Sequence, residues 1–213
     1  AKDNEEILQR FSVDYEIMVC ENHGRDVKPF FEILSRVIEN RHIFVLKLHT
    51  KKSPQRTDGS DWRNDLVSKL LDAESVLRVY NAFINDKQLG LVGPASHSIQ
   101  LGNTWGNEYI LAVMCTRLGL SYHDLKTLEF FGGTMFFVRT TSLVPLLQIL
   151  DKASFDAEAG QFDGTYAHVL ERMFTIIQNL QNLKVLDTQL KKPSHFDGYK
   201  FYASKHWKDH SIE

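Results

Sequence analysis

His42-Ile43-Phe44-Val45-Leu46-Lys47-Leu48-His49 is an almost uninterrupted apolar run. Its length suits a strand, and the lack of polar alternation is what a strand covered on both faces of a parallel sheet requires. Directly after it, Thr50-Lys51-Lys52-Ser53 turns polar and basic. Upstream, Phe30, Phe31, Ile33, Leu34, Val37 and Ile38 recur at helical spacing, behind the polar turn Glu21-Asn22-His23-Gly24-Arg25-Asp26. Before that turn, Tyr15-Glu16-Ile17-Met18-Val19-Cys20 has the length and apolar content of another strand. Strand, helix and strand in this order predict a βαβ unit, hence an α/β domain with a mostly parallel sheet flanked by helices.

The pattern extends outward from this unit. An amphipathic helix is expected over Asp3 to Phe11. An exposed loop follows the decisive strand, then helices over Asp61 to Leu71 and Glu74 to Asn85, and a short strand at Gly90-Leu91-Val92-Gly93-Pro94. Trp105-Gly106-Asn107 precedes a further helix. Leu128 to Arg139 reads as a strand region notched by Gly132-Gly133, where a bulge or a close backbone approach is expected. Helices over Ser142 to Lys152 and Gly164 to Leu180 and a last strand at Lys184-Val185-Leu186 complete one domain, residues 1–190. Residues 191–213 form a polar, aromatic tail.

At 213 residues with 43% hydrophobic content, the chain can bury a sizeable core. Lys and Arg total 25 against 27 Asp and Glu, a net charge of -2, so nothing global points to nucleic acid or an acidic membrane. Any anion site must be local. Cys20 and Cys115 each sit in an apolar run, as small core residues do, which suits a reducing cytoplasm. Apolar runs are broken by charges well short of the ~20 residues that span a bilayer.

Ligands of open α/β sheets bind at the carboxyl ends of parallel strands, where Asn22-His23-Gly24-Arg25-Asp26 and His49-Thr50-Lys51-Lys52 both fall. Lys51, Lys52, Arg56 and Arg25 have the chemistry to neutralise a diphosphate, although a solvated basic loop would look the same. Lys47 lies inside the apolar run, so its ammonium requires a carboxylate or a ligand. His49 fits an end-of-strand imidazole and a ligand contact equally well.

Glu158-Ala159-Gly160-Gln161-Phe162-Asp163-Gly164-Thr165 leads into the long helix. An acceptor hydroxyl attacking a sugar or phosphoryl centre needs a base, and Glu158 and Asp163 are the two candidates; Asp163 is equally a candidate N-cap. His168, Glu171 and Arg172, at i, i+3 and i+4, form one polar corner, of a site or of a surface salt bridge. Asp156, Glu158, Asp163 and His168 match no zinc or EF-hand spacing. Trp62 and Trp105 at helix starts are either sugar-stacking platforms or packing anchors. The common nucleophile-elbow, P-loop and dinucleotide signatures do not occur. Transfer from an anionic donor to an alcohol survives this elimination.

Taken together, Glu21 to Phe30, Lys47 to Ser53, Leu91 to Pro94, Gly133 to Phe136 and Glu158 to His168 with Glu171-Arg172 resemble the rhamnan synthesis protein F family of bacterial polysaccharide assembly. The resemblance runs from about Tyr15 to Phe174. It implies a GT-A-like, Rossmann-like glycosyltransferase with a nucleotide-diphosphate sugar donor such as dTDP-rhamnose, and a growing cell-surface polysaccharide or lipid-linked glycan as acceptor. Asn22, Arg25, Asp26, Lys47, His49, Lys51 and Lys52 would face the donor; Trp62, Trp105, Gln161, Glu171 and Arg172 would face the acceptor; Asp163, Glu158 and His168 would serve catalysis.

Many GT-A enzymes hold a divalent cation with Asp-x-Asp where this chain has His49-Thr50-Lys51-Lys52. Inverting transfer without Mg2+ or Mn2+, and with no other cofactor, is therefore expected, fixed ammonium groups taking the metal's role on the leaving diphosphate. The chain reaches its first strand only at Tyr15, so the first GT-A strand is expected to be missing. That leaves a second reading: a non-catalytic nucleotide- or glycan-binding module of an assembly complex. The expected place is the cytoplasm, with contact at the inner face of the plasma membrane made through the acceptor lipid.

Overall fold

The computed structural model describes residues 14–50, 59–103, 107–157, 159–161 and 163–194. Helix α1 (Val27–Glu39) leads to strand β1 (Phe44–Lys47), then α2 (Gly59–Leu71), α3 (Ala73–Asn85), β2 (Leu89–Gly93) and β3 (Ser98–Gln100). Helices α4 (Glu108–Arg117) and α5 (Tyr122–Leu125) precede β4 (Glu129–Phe131) and β5 (Phe136–Arg139). Finally α6 (Val144–Ile149), α7 (Tyr166–Leu180) and β6 (Lys184–Asp187) close the order.

The main sheet has the order β1-β5-β2-β6, and β3 pairs with β4 in a separate two-stranded ladder. β5 is antiparallel to both β1 and β2, while β2 and β6 are parallel. The expectation of a mostly parallel sheet is corrected here. β1, β2 and β6 share one direction, but the reversed β5 lies between β1 and β2, so two of the three ladders are antiparallel. A continuous apolar run reports burial on both faces and is silent about a neighbour's direction.

A second correction concerns Tyr15–Cys20, which forms no strand. The run has no regular secondary structure and is largely exposed, Val19 at 81%; an ion pair from Glu16 to Arg36 at 2.9 Å ties it to α1, and Glu21, just after it, reaches Lys28 at 3.8 Å. Without a ladder, the segment does not complete the expected βαβ unit. Apolar content favours a strand, but a ladder also needs a backbone partner. The helix expected over Asp3 to Phe11 lies outside the described residues.

Two cores lie on opposite sides of the sheet. One takes Phe31 and Leu34 of α1, Leu111 and Cys115 of α4, and much of α7, against Leu91, Phe136 and Val138. The other takes Leu66 and Leu70 of α2 and Val79 and Phe83 of α3, against Val92 and Phe137. Phe136 and Phe137 thus face opposite ways, as period two requires. Leu89 and Leu91 also join opposite cores although they are two residues apart, because the β2–β6 register shifts between them.

Helix α1 buries Val27, Phe30, Phe31 and Leu34, a stripe at i, i+3, i+4 and i+7, while Ile33 is turned outward at 38% exposure. Pro29 falls in its first turn, where a missing N–H costs nothing. Helix α7 is buried on nearly all sides, and its Phe174 stacks on Phe31 at 5.6 Å and meets Phe136 edge-on at 4.9 Å. This aromatic contact fixes α1 and α7 to the same face of β5. It therefore sets the distance between Arg25-Asp26 at the start of α1 and His168, Glu171 and Arg172 on α7.

Candidate functional site

The turn between β4 and β5 is the centre of the site. Gly133 and Thr134 both have left-handed backbones, φ 89° and 51°, and a Cβ on Gly133 would come within 2.7 Å of the Trp62 ring. Only glycine suits the first of these positions. The turn points its polar atoms at three side chains. Gly133 N donates to Glu171 Oε1 at 2.7 Å, its carbonyl accepts from His49 Nε2 at 2.6 Å, and the Thr134 carbonyl accepts from Lys47 Nζ at 2.9 Å.

Lys47, with a side chain 4% exposed, pairs with the Asp26 carboxylate, to which the Thr134 hydroxyl also donates. The sequence required a partner for this buried ammonium, and Asp26 is that partner. Asp26 stands at the N-cap position of α1 but makes no side-chain cap, its carboxylate being turned to the site. Burial pushes the Asp26 carboxyl up. Lys47 and His49, with the hydrogen bonds from Lys47 and Thr134, outweigh that effect and hold it below the usual carboxylate range. The Lys47 ammonium also lies 5.7 Å from the centre of the Phe30 ring.

A second branch runs along α7. Asp163 accepts from Asn107 Nδ2, from Gly164 N at 3.0 Å and from Arg172 Nη2 at 2.9 Å. Asp163 is not the cap of α7. Thr165 and His168 form a capping box there, and Asp163 is thereby available to the site. His168 Nε2 lies 2.7 Å from Arg25 Nη1. Its Nδ1 lies 2.7 Å from Thr165 Oγ1 and 3.4 Å from Thr165 N, the contact that closes the capping box. Arg25 also donates to the Gln161 carbonyl.

Helix α7 thus brings His168, Glu171 and Arg172 into a buried corner rather than a surface salt bridge. Arg172 reaches Glu171 at 3.6 Å and lies 5.1 Å from the centre of the Phe130 ring. Burial raises the Glu171 pKa above the ordinary glutamate value; Arg172 and the Gly133 hydrogen bond oppose the shift without cancelling it. Three cations, Arg25, Lys47 and Arg172, thus meet Asp26, Asp163 and Glu171 in one network.

The loops carrying Arg25 and Gln161 are joined by backbone. Gly24 N donates to Asp156 O at 2.9 Å, and His23 bridges Ala157. Gly24, at φ 63°, lies so close to Phe155 that a Cβ would be 2.3 Å from its ring. Gln161 uses its carboxamide on its own loop, accepting from Ala159 N and donating to Ala157 O. Asn22 is exposed in the turn before Arg25. Trp62 is half-buried, packed at Gly133 and 6.0 Å from the His97 ring, in the position of a packing anchor. Lys51, Lys52, Arg56, Trp105 and Glu158 lie outside the described residues.

Two participants were missed from sequence. Thr134 and Asn107 each bond a site carboxylate, and Asn107 is fully buried. A polar residue in Gly-Gly-Thr and one at a helix start look like ordinary turn and cap chemistry, so only the fold reveals them. Among the described residues, no three His, Cys, Asp or Glu side chains gather as a metal set, and no helix is long and apolar enough to cross a membrane.

A mixed α/β domain with this buried ionic network belongs to a class defined by its family. The profile of rhamnan synthesis protein F matches residues 1–182, and the chain belongs to that family. Two relatives from Xanthomonas campestris pv. campestris, strains B100 and ATCC 33913, both called uncharacterized protein WxcX, are each 38% identical over 167 residues. That alignment covers 78% of this chain and 24% of each relative, so the chain spans about a quarter of their length. No solved structure matches it.

Proposed function

We propose that this protein is a glycosyltransferase that moves a sugar, rhamnose or another deoxyhexose, from a nucleotide-diphosphate donor such as dTDP-rhamnose to a growing cell-surface polysaccharide. The observation that supports the reading is the ionic network at the carboxyl end of β1, where Arg25, Lys47 and Arg172 converge with Asp26, Asp163 and Glu171. A leaving nucleotide diphosphate is an anion that guanidinium and ammonium groups so placed can bind. In this reading Arg25 binds the diphosphate bidentately, exchanging its contacts to His168 and the Gln161 carbonyl for phosphate oxygens, and Lys51 and Lys52 are further candidate cations. Lys47 and Asp26 hold the Gly133-Thr134 turn that sets the site's geometry.

The acceptor hydroxyl loses its proton to Asp163 or Glu158 as it attacks the anomeric carbon. The carbon–oxygen bond to the diphosphate breaks on the opposite face, giving single displacement with inversion. Fixed cations neutralise the charge that develops on the leaving group, so the reaction proceeds without a divalent metal. The protein works in the cytoplasm, at the inner face of the plasma membrane where its acceptor is lipid-linked.

The test is nucleotide release from dTDP-rhamnose with a polysaccharide acceptor under excess EDTA, with donor binding measured separately by calorimetry. Loss of the base should lower turnover by about 10²–10⁴-fold in Asp163→Asn or Glu158→Gln while donor binding persists. Full turnover in both variants sinks the base assignment, and activity that vanishes in EDTA and returns with metal sinks metal independence. One observation favours a second reading, a nucleotide- or glycan-binding module without catalysis. Both Asp163 oxygens already accept hydrogen bonds from Asn107, Gly164 and Arg172, so an acceptor hydroxyl has to compete with these donors. Donor binding without transfer to any acceptor would support it.

A further inference from the structure

A groove of about 550 Å³ runs between α2 and the segment that follows β1. Leu48, 40% exposed, and the half-buried Val67 give it an apolar floor, and Arg63, Asn64 and Ser68 give it polar walls. Its volume lies in the ~300–1,000 Å³ range of small-molecule sites. Asn64, Val67 and Ser68 follow one another at i, i+3 and i+4, so they share one face of α2.

Among the described residues, the lining includes one fixed cation, Arg63, and no carboxylate. Such a groove offers little to a metal ion or an amine. It does suit a polyhydroxyl ligand, whose C–H face rests on aliphatic side chains while guanidinium, carboxamide and hydroxyl groups meet its oxygens. Arg63 is positioned for this by its Nη1 bond to the Thr50 carbonyl at 3.3 Å. His49 forms the inner wall, and its Nε2 bond to Gly133 O joins the groove directly to the ionic network.

We propose that this groove is the acceptor subsite, holding the terminal sugar of the glycan, and that the Leu48–Val67 floor selects a 6-deoxyhexose by its methyl group. The assignment rests on the glycosyl-transfer reading and adds to it a second, separately measurable ligand site. A methyl buried on this floor favours the deoxy sugar by about fourfold over the same sugar bearing a hydroxyl.

The experiment is saturation-transfer NMR with methyl α-L-rhamnoside and methyl α-L-mannoside, alongside calorimetry with thymidine diphosphate. The rhamnoside should bind about fourfold more tightly than the mannoside. Arg63→Ala and Asn64→Ala should each weaken it by about fivefold or more, the worth of one lost hydrogen bond. Ser68→Trp, a change at an exposed helix position, should fill the groove and abolish the signal. Circular dichroism establishes that each variant is folded, and thymidine diphosphate binding should be unchanged in all three. Equal binding of the two sugars, or rhamnoside binding that survives Ser68→Trp and Arg63→Ala, overturns the proposal. Absence of thymidine diphosphate binding in the unmodified protein instead counts against the transfer reading, because the groove is read from the other ligand.

Discussion

Removing the Lys47 ammonium, as in Lys47→Met, should do more than weaken the protein: it should reverse the sign of part of its pH dependence. Lys47 is 4% exposed in its side chain and Asp26 17%, so the substitution leaves a largely buried carboxylate with the Thr134 hydroxyl but without its cation. Breaking a buried pair from one side costs about 3–5 kcal/mol. For a domain of this size that is a fall in Tm of about 6–12 °C at the lower figure, at roughly 2–4 °C per kcal/mol. In the unmodified protein the folded-state pKa of Asp26 is depressed. Its contribution is therefore complete above the unfolded value of about 3.9 and is lost as pH falls through the folded one. Without Lys47, burial, already the largest single influence, is opposed less and that pKa rises. The residue then favours the folded state in acid and disfavours it as pH rises through the new, higher pKa. Urea unfolding from pH 3 to 8, on Lys47→Met, Asp26→Asn and the double variant, reads both effects. The double variant should recover about 1–3 kcal/mol of the summed losses. A cost below about 1 kcal/mol, the level of an exposed pair, with an unaltered acid limb, would refute the buried pairing.

Gly133→Ala should cost about 1–2 kcal/mol from its left-handed backbone alone, plus whatever the 2.7 Å approach to Trp62 adds, measured by urea unfolding. Serine or asparagine there should not restore the loss, because each also carries a Cβ. Glu171→Gln keeps an oxygen for Gly133 N and removes the ionised form. Because the folded Glu171 pKa is raised, the wild type should lose stability relative to this variant as pH climbs through that value, and the two should converge in acid. Cys115, pushed to about 11 by burial, should stay unreactive to a thiol reagent at pH 8 until the protein is unfolded. Labelling of the native chain should then come from Cys20.

Most of the helices were legible because their signals are local. Asp72 caps α3 through Ser75 N at 2.9 Å, and the Phe30-Phe31-Leu34 stripe of α1 needed only its own spacing. The β5 direction and the unpaired Tyr15–Cys20 segment were not legible, because strand partners come from distant sequence. Phe136 pairs with Lys47 across 89 positions, and nothing within either strand encodes that register. The Lys47 requirement was nevertheless visible: a lone cation in an apolar run must find a counter-charge. What the sequence withheld was which carboxylate answers it, since Asp26 has all the marks of an ordinary helix cap.

That substitution of roles is the key to the site's construction. At two helix starts an acidic residue in a normal capping context is diverted, Asp26 to Lys47 and Asp163 to Arg172 and Asn107. Each helix start is secured in another way. α1 begins with its first turns held by backbone bonds from Val27 and Lys28 to Gly24 O, and α7 by the Thr165–His168 capping box. Removing an acidic cap costs a helix about 1 kcal/mol, whereas leaving a buried cation unpaired costs several. The buried cation therefore decides where each carboxylate goes. The consequence is mechanical coupling. Arg25 sits one residue before Asp26 and is bonded to His168, so a ligand that draws Arg25 away from His168 pulls on the entrances of α1 and α7 together. Anion binding at Arg25 should therefore change backbone amide exchange at both helix starts, Val27–Lys28 and Tyr166–His168. A change at only one of them would separate the two branches of the network.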